Sequence, residues 1–160
     1  MNKKLVAYFS CTGTTRKVAE NLAEGIDGDL YEIVPSKAYT SEDLNWTNKN
    51  SRTSLEMNSR NSRPEIATKV SNMDDYDTIF LGFPIWWYTA PRIINTFLES
   101  YDFSGKNIVV FYTSGGSGLG NTILDLKQSC SNNANFIPGK RFGRGTSVEE
   151  LKMWVNSLDI

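Results

Sequence analysis

The sequence predicts an α/β fold: a doubly wound sheet of five parallel strands in the order 2-1-3-4-5, with helices on both faces. Three observations lead there. Short apolar runs alternate with helical periodicities along the chain, the pattern of a parallel sheet joined by crossover helices. The runs Leu5–Phe9 and Ile108–Phe111 are continuously apolar, as strands covered on both faces must be. The three most unusual stretches follow strands 1, 3 and 4. In such a sheet all three leave the carboxyl edge, where ligands bind at the switch in strand order.

The elements follow in order. Leu5–Phe9 is the first strand. A helix runs from about Thr15 to Ile26, with Val18, Leu22 and Ile26 at i+4 spacing and Gly25 and Gly28 closing it. Asp29–Val34 is a second short strand, ended by Pro35. Residues 35–63 form a polar insertion, rich in Ser and Asn, too long for a routine connection. Helical turns are expected near Ser41–Leu44 and Ser54–Asn58, with Trp46 anchoring the segment onto the body. Pro64 is expected to open a short helix with Ile66 and Val70 inward. Asp77–Phe83 is the third strand, and Pro91 leads a helix with Ile94, Phe97, Leu98 and Tyr101 on one side. Asn107–Tyr112 is the fourth strand, followed by a helix carrying Ile123, Leu126 and Cys130. Ala134–Ile137 is a weak fifth strand. A last helix begins at Ser147, where Ser147 and Glu150 fit a capping box. No repeat or linker divides the chain, so residues 1–160 read as one domain.

Composition narrows the function. The chain has 160 residues, a formal net charge of −1, two cysteines and no histidine. No basic excess exists to offset nucleic-acid phosphates. No stretch approaches the apolar length of a membrane span, and Asn2-Lys3-Lys4 lead into an apolar run too short for a signal peptide. A cytoplasmic location is expected. Without histidine, and with only Cys11 and Cys130 as thiols, His-based catalysis and a structural zinc site are removed. No catalytic or metal-ligating residue is singled out.

Three loops carry the chemistry. Ser10-Cys11-Thr12-Gly13-Thr14-Thr15 joins a strand to a helix, and its hydroxyls, its glycine and the helix N-terminus suit a small phosphate. The lysine and spacing of a nucleoside-triphosphate loop are absent. Pro84-Ile85-Trp86-Trp87-Tyr88 offers aromatic stacking surface. Strand alternation requires at least one of its aromatics to enter the core and leaves at least one free for a ligand. Thr113-Ser114-Gly115-Gly116-Ser117-Gly118 exposes main-chain groups. Together they describe a site for a flat ring with a phosphate tail. A phosphatase reading of Cys11 fails, because Cys11 to Arg16 is C-x4-R rather than C-x5-R and no Asp-Pro pair occurs. A phosphorelay receiver fails because no acidic pair follows strand 1.

The first turn matches the [S/T]-x-T-G-x-T turn of flavodoxins, and the whole alternation resembles the three-layer flavodoxin-like fold. The resemblance implies one non-covalent FMN, its 5′-phosphate on Ser10, Thr12, Gly13, Thr14 and Thr15. Pro84–Pro91 and Thr113–Gly118 resemble the ring-binding segments of FMN-dependent quinone reductases, which meet the flavin largely through main-chain atoms. Two redox roles follow: a carrier moving electrons between a reductase and an acceptor protein, or an enzyme using NAD(P)H and a small quinone. A relative without flavin, acting as an interaction module, is the third reading. The intact phosphate turn weighs against it. No separate nicotinamide motif is present, which favours the carrier. Near-neutral charge implies weak long-range steering of partners.

Overall fold

The structure, a computed structural model, describes residues 3–160, so Asn2 of the leading segment lies outside it. Five parallel strands form one sheet in the order β2-β1-β3-β4-β5. They are β1 (Lys3–Tyr8), β2 (Asp29–Glu32), β3 (Tyr76–Pro84), β4 (Asn107–Thr113) and β5 (Asn135–Ile137). The order reverses between β1 and β3, which pair in parallel from Lys3↔Tyr76 to Tyr8↔Gly82 with one register shift at Lys3/Lys4.

Side-chain alternation on the three central strands builds two cores. Leu5, Ala7, Ile79, Leu81, Phe83, Ile108 and Val110 point to one face and pack with α3 (Arg92–Glu99). Val6, Tyr8, Phe80, Val109 and Phe111 point to the other and meet α1 (Thr14–Ile26) and α5 (Val148–Ser157). Both faces are therefore covered, which is why these strands are almost wholly apolar. Each large side chain buried there is worth about 1.5–3 kcal/mol. Gly82 leaves room for its neighbour: a Cβ there would stand 2.2 Å from Cζ of Phe111. The short helix α4 (Thr122–Lys127) lies beside α3, with Leu126 buried.

Several expected elements shift. The helix expected after Pro64 does not form. Residues 65–67 instead run antiparallel to the chain leaving β2, with Pro35 bridged to Ile66, Ser36 N–H donating to Glu65 O (2.8 Å) and Ala67 N–H to Val34 O (2.7 Å). Ile66 and Val70 still reach the core. Two apolar residues are too sparse to stabilise a helix through one packed face. β2 stops at Glu32 rather than Val34. The turn closing α1 is made by Asp27, in the left-handed conformation at φ 52°, rather than by a glycine. The insertion contains α2 (Arg52–Met57), covering the helical turn expected near Ser54. Trp46 does not anchor it: its side chain is 72% exposed. Tyr39 does that work, with its ring edge-on to Phe9 and Trp86, each at 5.7 Å between centroids.

Candidate functional site

At the β1/β3 switch, the turn after β1 delivers the N-terminus of α1. Gly13 is its N-cap at φ 91°, a conformation that favours glycine, and it supplies no side-chain cap. The first turn of α1 also holds no acidic residue. The helix therefore starts with backbone N–H groups that lack a capping side chain, under the positive end of its dipole. By contrast α5 is closed by the complete Ser147/Glu150 capping box. Within the turn, Gly13 N–H donates to Ser10 Oγ at 3.1 Å. Thr15 is buried, and its hydroxyl lies 2.8 Å from that of Thr113, tying the turn to the end of β4.

The loop after β3 is a two-residue reversal. Trp86 and Thr89 exchange both backbone hydrogen bonds (2.9 and 3.1 Å), with Trp87 at φ 49° and Tyr88 at φ 65° between them. Two positive φ values define the turn type that Asn-Gly fills best, and aromatic residues take it at a cost. The result is separation by role. Trp86 turns into the core against Phe9, 5.7 Å between centroids, while Trp87 and Tyr88 are 44% and 71% exposed. Thr89 fixes the turn from below, its hydroxyl donating to Asp125 of α4 at 2.6 Å.

The loop after β4 approaches the same turn. A Cβ on Gly120 would stand 2.6 Å from the Tyr88 carbonyl oxygen, so glycine is required for contact. Ser114 organises the tip, its hydroxyl donating to Ser117 O (2.7 Å) and accepting from Gly116 N–H (3.2 Å). No protein atom lies within 4 Å of where a Cβ would stand at Gly115, Gly116 or Gly118. Gly116 is required by its own backbone, at φ 145°, while Gly115 and Gly118 face open space without that constraint.

Between these loops is a cavity of about 490 Å³. Cys11, Thr12 and Thr15 line it from the first loop, Pro84–Tyr88 from the second and Ser117 from the third. The remaining predicted residues, Ser10, Gly13, Thr14, Thr113, Ser114, Gly115, Gly116 and Gly118, lie outside its lining.

Comparison with known proteins shows the family. The Flavodoxin family profile matches residues 3–158. The chain belongs to the flavodoxin family. A proposed flavoprotein from Bacteroides eggerthii DSM 20697 is 46% identical over 100% of this chain and 99% of its own, with a TM-score of 0.92. Another from Bacteroides uniformis ATCC 8492 is 47% identical over 98% and 99%, TM-score 0.90. A Lactobacillus acidophilus NCFM flavoprotein in complex with FMN shares the fold at 24% identity over 97% and 99%, TM-score 0.71. Among curated proteins none matches.

A fourth wall completes the cavity. Leu44, Trp46 and Thr53, all from the 35–63 insertion, line the cavity. The insertion is held by its own polar groups. Thr40 and Asp43 cap each other's N–H groups at 3.0 and 3.1 Å, and Thr53 donates to Asp43 O at 2.8 Å. Arg52 lies 3.7 Å over the Tyr39 ring and pairs with Glu56 at 2.9 Å, while Tyr39 donates to the same carboxylate at 2.6 Å. From α3, the buried Arg92 donates to Met57 O at 2.8 Å, satisfying the C-terminal end of α2. Thr40 and Asp43, three residues apart, have the spacing that such reciprocal capping requires.

Cys11 is a wall, not a nucleophile. Burial pushes its thiol up to about 12, outweighing the nearby Arg52 charge that lowers it. Arg16, in the first turn of α1, is exposed and paired with Glu32 at 2.8 Å.

Proposed function

We propose that this flavodoxin binds one FMN non-covalently and works as a carrier of electrons between protein partners. The observation behind it is the cavity at the β1/β3 switch, bounded by an uncapped helix N-terminus at one end and an exposed aromatic turn at the other. The donor set fits the group. Backbone N–H groups at the start of α1, with the Thr12 and Thr14 hydroxyls, would hold the phosphate. Trp87, Tyr88 and Ser117, which line the cavity, would hold the ring.

FMN supplies the redox chemistry when bound, accepting and releasing electrons one or two at a time. The chain's own residues bind and position. Trp87 and Tyr88 present flat apolar surface that excludes water. The Thr15–Thr113 hydroxyl pair keeps the phosphate end and the ring end in fixed register. Leu44 and Trp46 roof the cavity from the insertion.

The alternative is an NAD(P)H-dependent reductase acting on a small quinone. Of the three arginines of the insertion that could meet a nicotinamide-nucleotide phosphate, Arg52 pairs with Glu56 and Arg63 with Glu99, both at 2.9 Å, while Arg60 is exposed and has no ion pair among the described residues. What favours the carrier is the sequence, which holds no separate nicotinamide motif. The test is rapid mixing of the FMN-loaded protein with NADPH. A carrier keeps its flavin absorbance until a partner reductase is added. Fast bleaching by NADPH alone establishes the reductase, and a protein that takes up no FMN refutes both.

A further inference from the structure

We propose that Arg144 is an anion anchor of the phosphate turn and biases the site toward phosphorylated flavin over riboflavin. The inference rests on the FMN reading and goes further, because it assigns the charge recognition to a residue outside the loop motifs.

The placement of Arg144 is built into the fold. Gly143–Thr146 form a tight turn, with Thr146 N–H donating to Gly143 O at 3.0 Å and Gly143 N–H to Thr146 Oγ1 at 3.2 Å. One side of this turn is clipped to the sheet. Phe142 N–H donates to Tyr112 O at 2.9 Å, Tyr112 N–H donates to Lys140 O at 3.2 Å, and the buried Phe142 ring packs on Trp154. The other side is clipped to α1, where Asn21 donates to Thr146 O at 3.1 Å. Arg144 at the tip then reaches back 132 positions in sequence. Its Nη2 donates to Thr12 O at 3.1 Å and to Thr14 Oγ1 at 3.5 Å.

The exposed Arg144 guanidinium meets two oxygens of the turn at the N-terminal end of α1. A cation is disfavoured at a helix N-terminus, where the dipole is already positive. The first turn of α1 contains no acidic residue to offset it. Among the described residues no carboxylate comes within 4.0 Å of Arg144, whereas Arg16 and Arg63 each have one and Arg52 has two. A guanidinium has five N–H donors in a planar fork, and these two contacts use only Nη2. A phosphate on the turn would meet the helix N–H groups and the spare guanidinium donors together.

The test is titration of FMN and of riboflavin, followed by flavin fluorescence, into the wild type, Arg144→Gln and Arg144→Lys, at about 20 and about 300 mM salt. Wild type is expected to prefer FMN. Arg144→Gln should weaken FMN about tenfold at low salt, leave riboflavin within about twofold and flatten the salt dependence, with Arg144→Lys recovering part of the loss. Urea unfolding of the apoproteins checks that the fold is unchanged. If Arg144→Gln weakens both flavins equally, or neither, the anchor is refuted while the FMN reading stands. Wild type binding FMN no more tightly than riboflavin also refutes the anchor. Wild type binding neither overturns the FMN reading and the anchor with it.

Discussion

Trp87 and Tyr88 hold the left-handed conformations of a turn that any Asn-Gly pair would fill at less cost. Such strain persists where function needs the side chain more than stability does. The double variant Trp87→Asn/Tyr88→Gly should therefore stabilise the apoprotein by about 1 kcal/mol in urea unfolding. The same variant should bind FMN at least about tenfold more weakly, since the exposed rings are gone. Unchanged FMN affinity would remove these rings from the site. Cys11 gives a second prediction at this scale. Burial pushes its thiol up to about 12, so at pH 8 it holds far less of the reactive thiolate than an exposed cysteine does. Native protein should react with a thiol reagent far more slowly than urea-unfolded protein, and Cys130, also raised to about 12 by burial, should behave alike. Equal rates in the two states would show an exposed, reactive thiol. Of the site residues, those in the three loops were legible because hydroxyls, glycines and aromatics cluster there. Arg144, the proposed anchor, was not, because it lies in a segment whose local sequence says nothing of where the chain will carry it.

Elements were legible where one face is packed and the period is clear. α1 and α5 lie where their apolar spacing put them, and the Ser147/Glu150 box closes α5 as its sequence indicates. The segment after Pro64 misled for a physical reason. Proline suits a first helical turn, but Ile66, Thr68 and Val70 alternate as β-branched residues, and that period belongs to an extended chain. The backbone took the partner offered by the chain leaving β2. α2, only six residues long, cannot be stable alone. Its stability must come from tertiary contacts, and Arg92 supplies two from the body of the protein, donating to Met57 O and Glu56 O. Hydrogen bonds from a charged donor are worth about 1.5–3 kcal/mol. Arg92→Ala, which also opens a hole beside Met57 O, should cost about 2 kcal/mol in urea unfolding. Hydrogen exchange should rise in residues 52–57 while staying unchanged in β1 and β3. A uniform rise along the chain would mean that Arg92 supports the whole core rather than the cavity roof.

At the scale of the molecule, strand order was the most legible feature, because right-handed crossovers and a buried parallel sheet leave few arrangements. The same sheet explains how three loops far apart in sequence share one cavity: they follow the three central strands at one edge. Whole-molecule charge carries the last prediction. The net charge is −1, and the acidic residues Asp74, Asp75 and Asp77 sit at the start of β3, the end of that strand away from the cavity loops. The cavity side instead shows exposed aromatics, with Arg141 and Arg144 on its flank. If the protein is the proposed carrier, its net charge of −1 gives little long-range field to steer a partner, and contact should depend on apolar surface. Electron transfer to a partner protein should then change by less than about threefold between 0.05 and 0.5 M salt, where steered association falls steeply. Trp87→Ala and Tyr88→Ala should slow the second-order rate more than any single charge change on this surface. A steep salt dependence would place the docking face on the charged edge, away from the aromatic turn.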